Sequence, residues 1–250
     1  MTMRRAQNEA GSVAVGIFCK TPAAGFSKTR LSPPLRPEEC SALSACFIRD
    51  LAATIASLGG EVAPYAIYTP AGTDAALRTL LPPDFRLLLQ RDGDFGTRLS
   101  HAVTDLLRIG HAGVILVNAD SPTLPASILR SAAEALLHDD AVVLSPSLDG
   151  GYTLIGLSRP HPELFADIPW STPHVHRLTM QRAAEVNVPV VNVPGWYDVD
   201  DEQTLRLLQR ELAGERLSFA EAGVSGAHAP ATRRFLTHPR VPAKVEASWQ

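Results

Sequence analysis

Cations, acids and glycines stand in five short stretches of this chain, each placed where an apolar run ends or turns. The first is Lys20-Thr-Pro-Ala-Ala-Gly25-Phe-Ser-Lys28-Thr-Arg30-Leu, after the run Val13–Cys19. Lys20, Lys28 and Arg30 surround a glycine-containing loop whose backbone N–H groups add partial positive charge. Such a set suits a diphosphate: guanidinium grips phosphate oxygens in pairs, and ammonium acts as a point charge. The spacing is neither GxxxxGK[ST] nor GxGxxG, so it is not a P-loop or a dinucleotide fingerprint. A basic loop in solvent would use the same residues with no ligand at all.

The second stretch is Gln90-Arg-Asp-Gly-Asp-Phe-Gly96-Thr-Arg98-Leu. A strand-end Gln90 has the amide needed to meet a base edge, and Gly96 would let backbone approach a ligand. Arg98 falls in the same ligand-binding set. A turn and a helix cap at Asp94 or Thr97 explain the stretch equally well. The third is Asn118-Ala-Asp120-Ser-Pro-Thr. An acid directly after a buried strand can coordinate Mg²⁺ or Mn²⁺, which prefer oxygen ligands. The fourth, Asp149-Gly150-Gly151-Tyr152, is a turn signal between two apolar runs. It also leaves room for a sugar or base, with Asp149 able to accept hydrogen bonds or a proton. The last is Trp196-Tyr-Asp198-Val-Asp200-Asp201. Asp198 and Asp200 alternate along extended backbone and point the same way. Two like charges side by side call for a cation. Trp170 lines an acceptor pocket or closes a core edge. His174 and His176 lack a third ligand for zinc.

The elements that must position these residues are legible from apolar periodicity. Strands are expected at Val13–Cys19, Val62–Tyr68, Phe85–Gln90, Gly113–Ala119, Ala141–Leu144, Tyr152–Leu157 and Val188–Val193. Helices are expected at Pro37–Leu58, Asp74–Leu81, Phe95–Ile109, Pro125–Leu137, Val175–Glu185 and Glu202–Leu212. Alternation of this kind predicts an α/β/α sandwich on a mostly parallel sheet. Ligands of such sheets bind beyond the carboxyl ends of the strands, so the five stretches should converge there. The expected organisation is a flexible 1–12, one domain over 13–213, and a loosely ordered tail over 214–250, which holds Pro230, Pro239 and Pro242 and little periodicity.

Bulk properties narrow the class. A chain of 250 residues with 45% hydrophobic residues can bury a large core. A net charge of −3 argues against nucleic acid as a partner. Three cysteines with no metal spacing suit a reducing compartment. No apolar run is long enough for a membrane span. The expectation is a cytoplasmic protein; the oligomeric state is left open.

In order, the motifs KxPxxGxxKTRL, Q…GxRL, an aspartate before SPTL, SPxxDGGYxLIGL, IPWST and DVDxxxxL resemble the bacterial arsenosugar-biosynthesis-type glycosyltransferases. These are GT-A enzymes of the nucleotide-diphospho-sugar transferase superfamily. The resemblance implies that Lys20, Lys28 and Arg30 hold the donor diphosphate, with Lys28, Arg30 and Asp149 catalytic. It implies that Gln90 and Gly96 meet the nucleobase, and that Asp149, Gly150, Gly151 and Tyr152 face sugar or acceptor. Asp120 would bind Mg²⁺ or Mn²⁺. Many GT-A enzymes carry DxD at the metal strand, whereas this chain has Asp120-Ser-Pro, so Asp198 or Asp200 would supply the second ligand. The activity implied is a metal-dependent glycosyltransferase acting on a nucleotide-diphospho-sugar donor and a small-molecule acceptor. A nucleotidyltransferase using an NTP and a phosphorylated acceptor fits the same residues, as does a nucleotide-binding regulatory module.

Overall fold

The computed structural model describes residues 11–138 and 140–237. Seven strands form one sheet in the order β3-β2-β1-β4-β6-β5-β7. They are β1 Val13–Lys20, β2 Val62–Thr69, β3 Arg86–Leu89, β4 Gly113–Asn118, β5 Val142–Pro146, β6 Tyr152–Leu157 and β7 Val190–Asn192. Neighbours run parallel, except that β6 is antiparallel to both β4 and β5. The Asp149-Gly-Gly turn is therefore a hairpin, and β6 starts at the rim where the other strands end.

Helices cover both faces. They are α1 Pro37–Ala56, α2 Asp74–Arg78, α3 Phe95–Ile109, α4 Ala126–His138, α5 Val175–Glu185, α6 Glu202–Leu212 and α7 Pro230–Thr237. Alternation along β1 feeds two cores. Val13, Val15 and Ile17 pack with Phe47 and Leu51 of α1 and Leu129 of α4. Ala14 packs on the other face with Leu99 and Val103 of α3. Central strands buried on both faces explain why β1 and β4 read as unbroken apolar runs. The α/β/α expectation thus holds. Caps fix the helix starts that border the rim: Asp94 accepts the Thr97 N–H at 2.7 Å, and Asp201 accepts that of Thr204 at 2.8 Å.

The expected loosely ordered tail does not describe residues 214–237. Leu217 and Ala229 are buried, and Phe219 meets the rings of Trp196 and Tyr197, each at 5.9 Å between centroids. Helix α7 docks on α1, where Asp50 takes the N–H groups of Ala231 and Thr232 at 2.9 and 2.7 Å. Sequence periodicity misses this because the anchors are single residues between prolines and glycines. Residues 1–10 of the expected flexible start, and 238–250 of the expected tail, lie outside the described residues.

Candidate functional site

The loop after β1 turns its cations in opposite directions. Lys28 has a positive φ of 50° and leads into a 3-10 turn at Thr29–Leu31, anchored by the buried Leu31. Its ammonium lies 2.8 Å from Asp120, 3.0 Å from Asp200 and 2.5 Å from the Val199 carbonyl, and the side chain is only 5% exposed. Burial opposes its charge, but Asp120 and Asp200 outweigh burial and hold the ammonium above its ordinary value. Arg30 stays out in solvent, 3.6 Å from Asp200. Lys28, expected beside Lys20 and Arg30 on the donor diphosphate, therefore sits among the acids expected to hold the metal. Lys20 is exposed at the end of β1.

The acids converge although they are far apart in sequence. The Val199 N–H donates to the Asp120 carbonyl at 2.9 Å, which pins the segment after β7 to the end of β4. Asp198 accepts from the Ser147 hydroxyl at 2.7 Å. Burial, with Asp149, Asp200 and Asp120 adding to it, pushes the Asp198 carboxyl up to about 6 against that hydrogen bond. Asp149 caps its own turn by accepting the Gly151 N–H at 2.8 Å. Burial and the neighbouring Asp120 push the Cys19 thiol up to about 12.

Three of the residues expected to contact a ligand, Gln90, Gly96 and Gly150, meet internal partners. The Gln90 Nε2 donates to the carbonyls of Cys19 at 3.0 Å and Ile67 at 2.9 Å, and its Oε1 accepts from Arg98 at 2.9 Å. That amide bolts β1, β2 and Arg98 together, so its N–H groups are not available to a base edge. A Cβ on Gly96 would lie 2.4 Å from the Phe165 carbonyl and 3.0 Å from the Trp170 Nε1, so this glycine admits a neighbouring segment, not a ligand. Gly150, at φ 87°, faces the Pro173 carbonyl in the same way, at 2.3 Å. The Tyr152 hydroxyl is buried beside Thr179, and burial raises it above the usual phenol range. Its ring, with Gly151, still lines the rim.

Two adjoining clefts result. The first, about 410 Å³, is lined by Lys20, Lys28, Arg30, Gln90 and Arg98. The second, about 360 Å³, is lined by Asp120, Asp149, Asp198, Asp200, Gly151 and Trp170. They share Phe18, Phe95, Arg30, Ala119, Asp120 and Asp200. Phe95 meets Phe18 edge-on at 5.6 Å and Trp170 at 4.9 Å, and Arg98 lies over the Phe18 and Phe95 rings. Sequence reasoning missed Phe18, Phe95 and the 78% exposed Phe26. Their signal was position: each stands within or beside a stretch already singled out for its polar residues. Gly25, at φ 77°, has open space around it.

Carboxylate oxygens are the right donors for a hard divalent cation. Among the described residues, however, no three His, Cys, Asp or Glu side chains are set as a metal cage. Lys28 takes the position between Asp120 and Asp200. The gathering of Asp120, Asp149, Asp198 and Asp200 around one cleft is nevertheless what a divalent ion would relieve. In chemistry and charge, though not as a closed cage, the residues fit such an ion.

Comparison with known proteins finds a family model that matches part of the chain. Residues 54–172 match the model of DUF2064, described as an uncharacterized protein conserved in bacteria. The DUF2064 segment holds Gln90, Arg98, Asp120, Asp149 and Trp170; Lys28 and Asp200 fall outside it. A solved structure from Desulfovibrio desulfuricans G20, provisionally assigned as a nucleotide-diphospho-sugar transferase, superposes with a TM-score of 0.76 at 26% identity. That match covers 90% of this chain and 94% of the other. The resemblance to nucleotide-sugar transferases drawn from the motifs is thereby borne out. CMP:2-keto-3-deoxy-manno-octonic acid synthetase, solved with CTP, shares the fold at a TM-score of 0.53 and 12% identity, over 82% of this chain and 100% of its own. A cytidylyltransferase from Leptospira borgpetersenii shares it at 0.51 and 10%, over 83% and 89%. No curated protein matches the chain.

Proposed function

We propose that this protein is a glycosyltransferase that moves sugar from a nucleoside diphosphate to a hydroxyl-bearing small molecule. One observation carries the reading: a cation-lined cleft and a carboxylate-lined cleft meet along a shared edge at Asp120, Asp200 and Arg30. The likeness to the Desulfovibrio protein supports it. The donor's diphosphate would lie toward Lys20, Arg30 and Arg98, with Lys28 holding Asp120 and Asp200 in place. Asp120, with Asp198 or Asp200, would hold Mg²⁺ or Mn²⁺, which offsets charge gathering on the leaving nucleotide. In the transfer a C–O bond forms between acceptor oxygen and anomeric carbon. The C–O bond to the diphosphate breaks, its electron pair leaving with the nucleoside diphosphate. The hydroxyl proton passes to a carboxylate, for which Asp149 at the open rim is our candidate. Among the described residues no helix is long and apolar enough to cross a membrane, and we place the reaction in the cytoplasm.

Calorimetric titration of nucleotide sugars with Mn²⁺ tests the assignment. Binding should require Mn²⁺ in the wild type and vanish in Asp120→Ala; an unchanged isotherm in the variant refutes it. The fold shared with cytidylyltransferases keeps a second reading open, transfer of a nucleotidyl group from an NTP. Release of pyrophosphate from an NTP, in place of nucleoside diphosphate from a nucleotide sugar, identifies that activity.

A further inference from the structure

The two clefts differ in a way that bears on the acceptor. Behind its rim the second cleft has an apolar wall of Leu116, Ile155, Phe95, Trp170 and the ring of Tyr152, beside the polar Asn118, Thr153 and Thr172. The Tyr152 hydroxyl points away into protein. Phe95, 40% exposed, stands edge-on to Trp170 and leaves an aromatic surface open. At the mouth stand Asp120, Asp149, Asp198 and Asp200, and Arg30 is the sole cation in the lining. Arg98 lies over Phe18 and Phe95 and lines the first cleft, not the second.

The charges decide what can enter. A bound diphosphate and one divalent cation cancel to first order. Four carboxylates then face the ammonium of Lys28 and the guanidinium of Arg30, and Lys28 is already spent on Asp120 and Asp200. An anion arriving at this mouth meets an excess of like charge, four carboxylates against the one lining cation, Arg30, which itself leans toward Asp200. An apolar or aromatic body finds the wall behind it complementary.

We infer that the second cleft selects an acceptor that is neutral or cationic, with an apolar or aromatic body behind its hydroxyl, and rejects phosphorylated or carboxylated acceptors. The inference rests on the transferase reading above, and it opposes the nucleotidyltransferase alternative, whose acceptor is itself a phosphate.

The probes are p-nitrophenyl β-glucoside and its 6-phosphate, titrated into the full chain with tryptophan fluorescence as readout. Of the three tryptophans, Trp170 lines the cleft, Trp196 is buried elsewhere, and Trp249 lies outside the described residues. The neutral glucoside should quench the emission, and Trp170→Phe should remove that response. The 6-phosphate should bind at least about tenfold more weakly, as a like-charge contact implies. Asp149→Asn, on an exposed side chain, should narrow that gap, and so should added salt. Equal or tighter binding of the phosphate overturns the inference. So does failure of the neutral glucoside to bind, or a response that persists in Trp170→Phe. Binding of nucleotide sugar in the first cleft, followed separately by calorimetry, survives all three outcomes, so the two readings fail independently.

Discussion

The Lys28 ammonium lies 2.8 Å from Asp120, so a side chain of the protein already supplies positive charge where an incoming cation would be sought. Lys28→Met should leave Asp120 without its counter-charge and Asp200 with only the exposed Arg30. Both carboxylates are about a third exposed, so the loss of stability should be modest, about 1–2 kcal/mol. The freed carboxylates should then bind Mn²⁺ more tightly in the absence of nucleotide, as read by paramagnetic resonance of the free ion. Weaker Mn²⁺ binding in the variant would show that Lys28 assists the metal and does not compete with it.

Gln90 acts through Arg98. Gln90→Ala removes its hydrogen bonds to two strand carbonyls and to Arg98, which should cost about 2–4 kcal/mol. Nucleotide affinity should fall by a similar factor for purine and pyrimidine diphosphates. A base-selective change would restore Gln90 as a reader of the base.

Two glycines with left-handed backbone should respond very differently to alanine. At Gly25 nothing lies near a new Cβ, so Gly25→Ala carries only the backbone cost of about 1–2 kcal/mol. At Gly150 the Pro173 carbonyl stands 2.3 Å from the new atom, and Gly150→Ala should cost about 3 kcal/mol or more. Chemical denaturation of the two variants compares them; equal losses would refute the packing role of Gly150.

His111 gives the fold a pH dependence. It is buried against the Tyr65 hydroxyl at 3.0 Å, and burial, with Arg86 nearby, holds its imidazole below the usual 6.5 despite the Ser12 contact. The folded state therefore favours the neutral ring. This contribution is complete above the unfolded value and is lost as pH falls through the lower folded value. The melting temperature should drop as pH falls below about 6.5, and His111→Gln should flatten part of that slope. An identical slope in the variant would assign it to other groups.

The sheet and the rim were legible in the sequence because unbroken apolar runs and turn residues mark strands and their ends. Asp120 and Asp200, 80 positions apart, could be placed together from topology alone. The direction in which a side chain leaves the rim was not legible. Lys28 and Arg30 are two residues apart, and a single 3-10 turn sends one inward and the other into solvent. Gln90 and Gly96 look like ligand contacts in a linear reading. Their partners, the Cys19 carbonyl and the Phe165 carbonyl, come from elements with no periodic link to them. Polar residues drew attention to each stretch, which is why the aromatic partition between the clefts passed unseen.

The C-terminal segment has a consequence beyond its own packing. Phe219 leans on Trp196 and Tyr197, directly ahead of Asp198. Helix α7 hangs on Asp50, one turn along α1 from Phe47, whose ring supports the Lys28 ammonium at 5.5 Å. One stretch of chain, remote from either cleft, thus splints both the lysine and the acids it joins. Removal of that splint would slacken the charged junction from behind, with every residue of the junction still present.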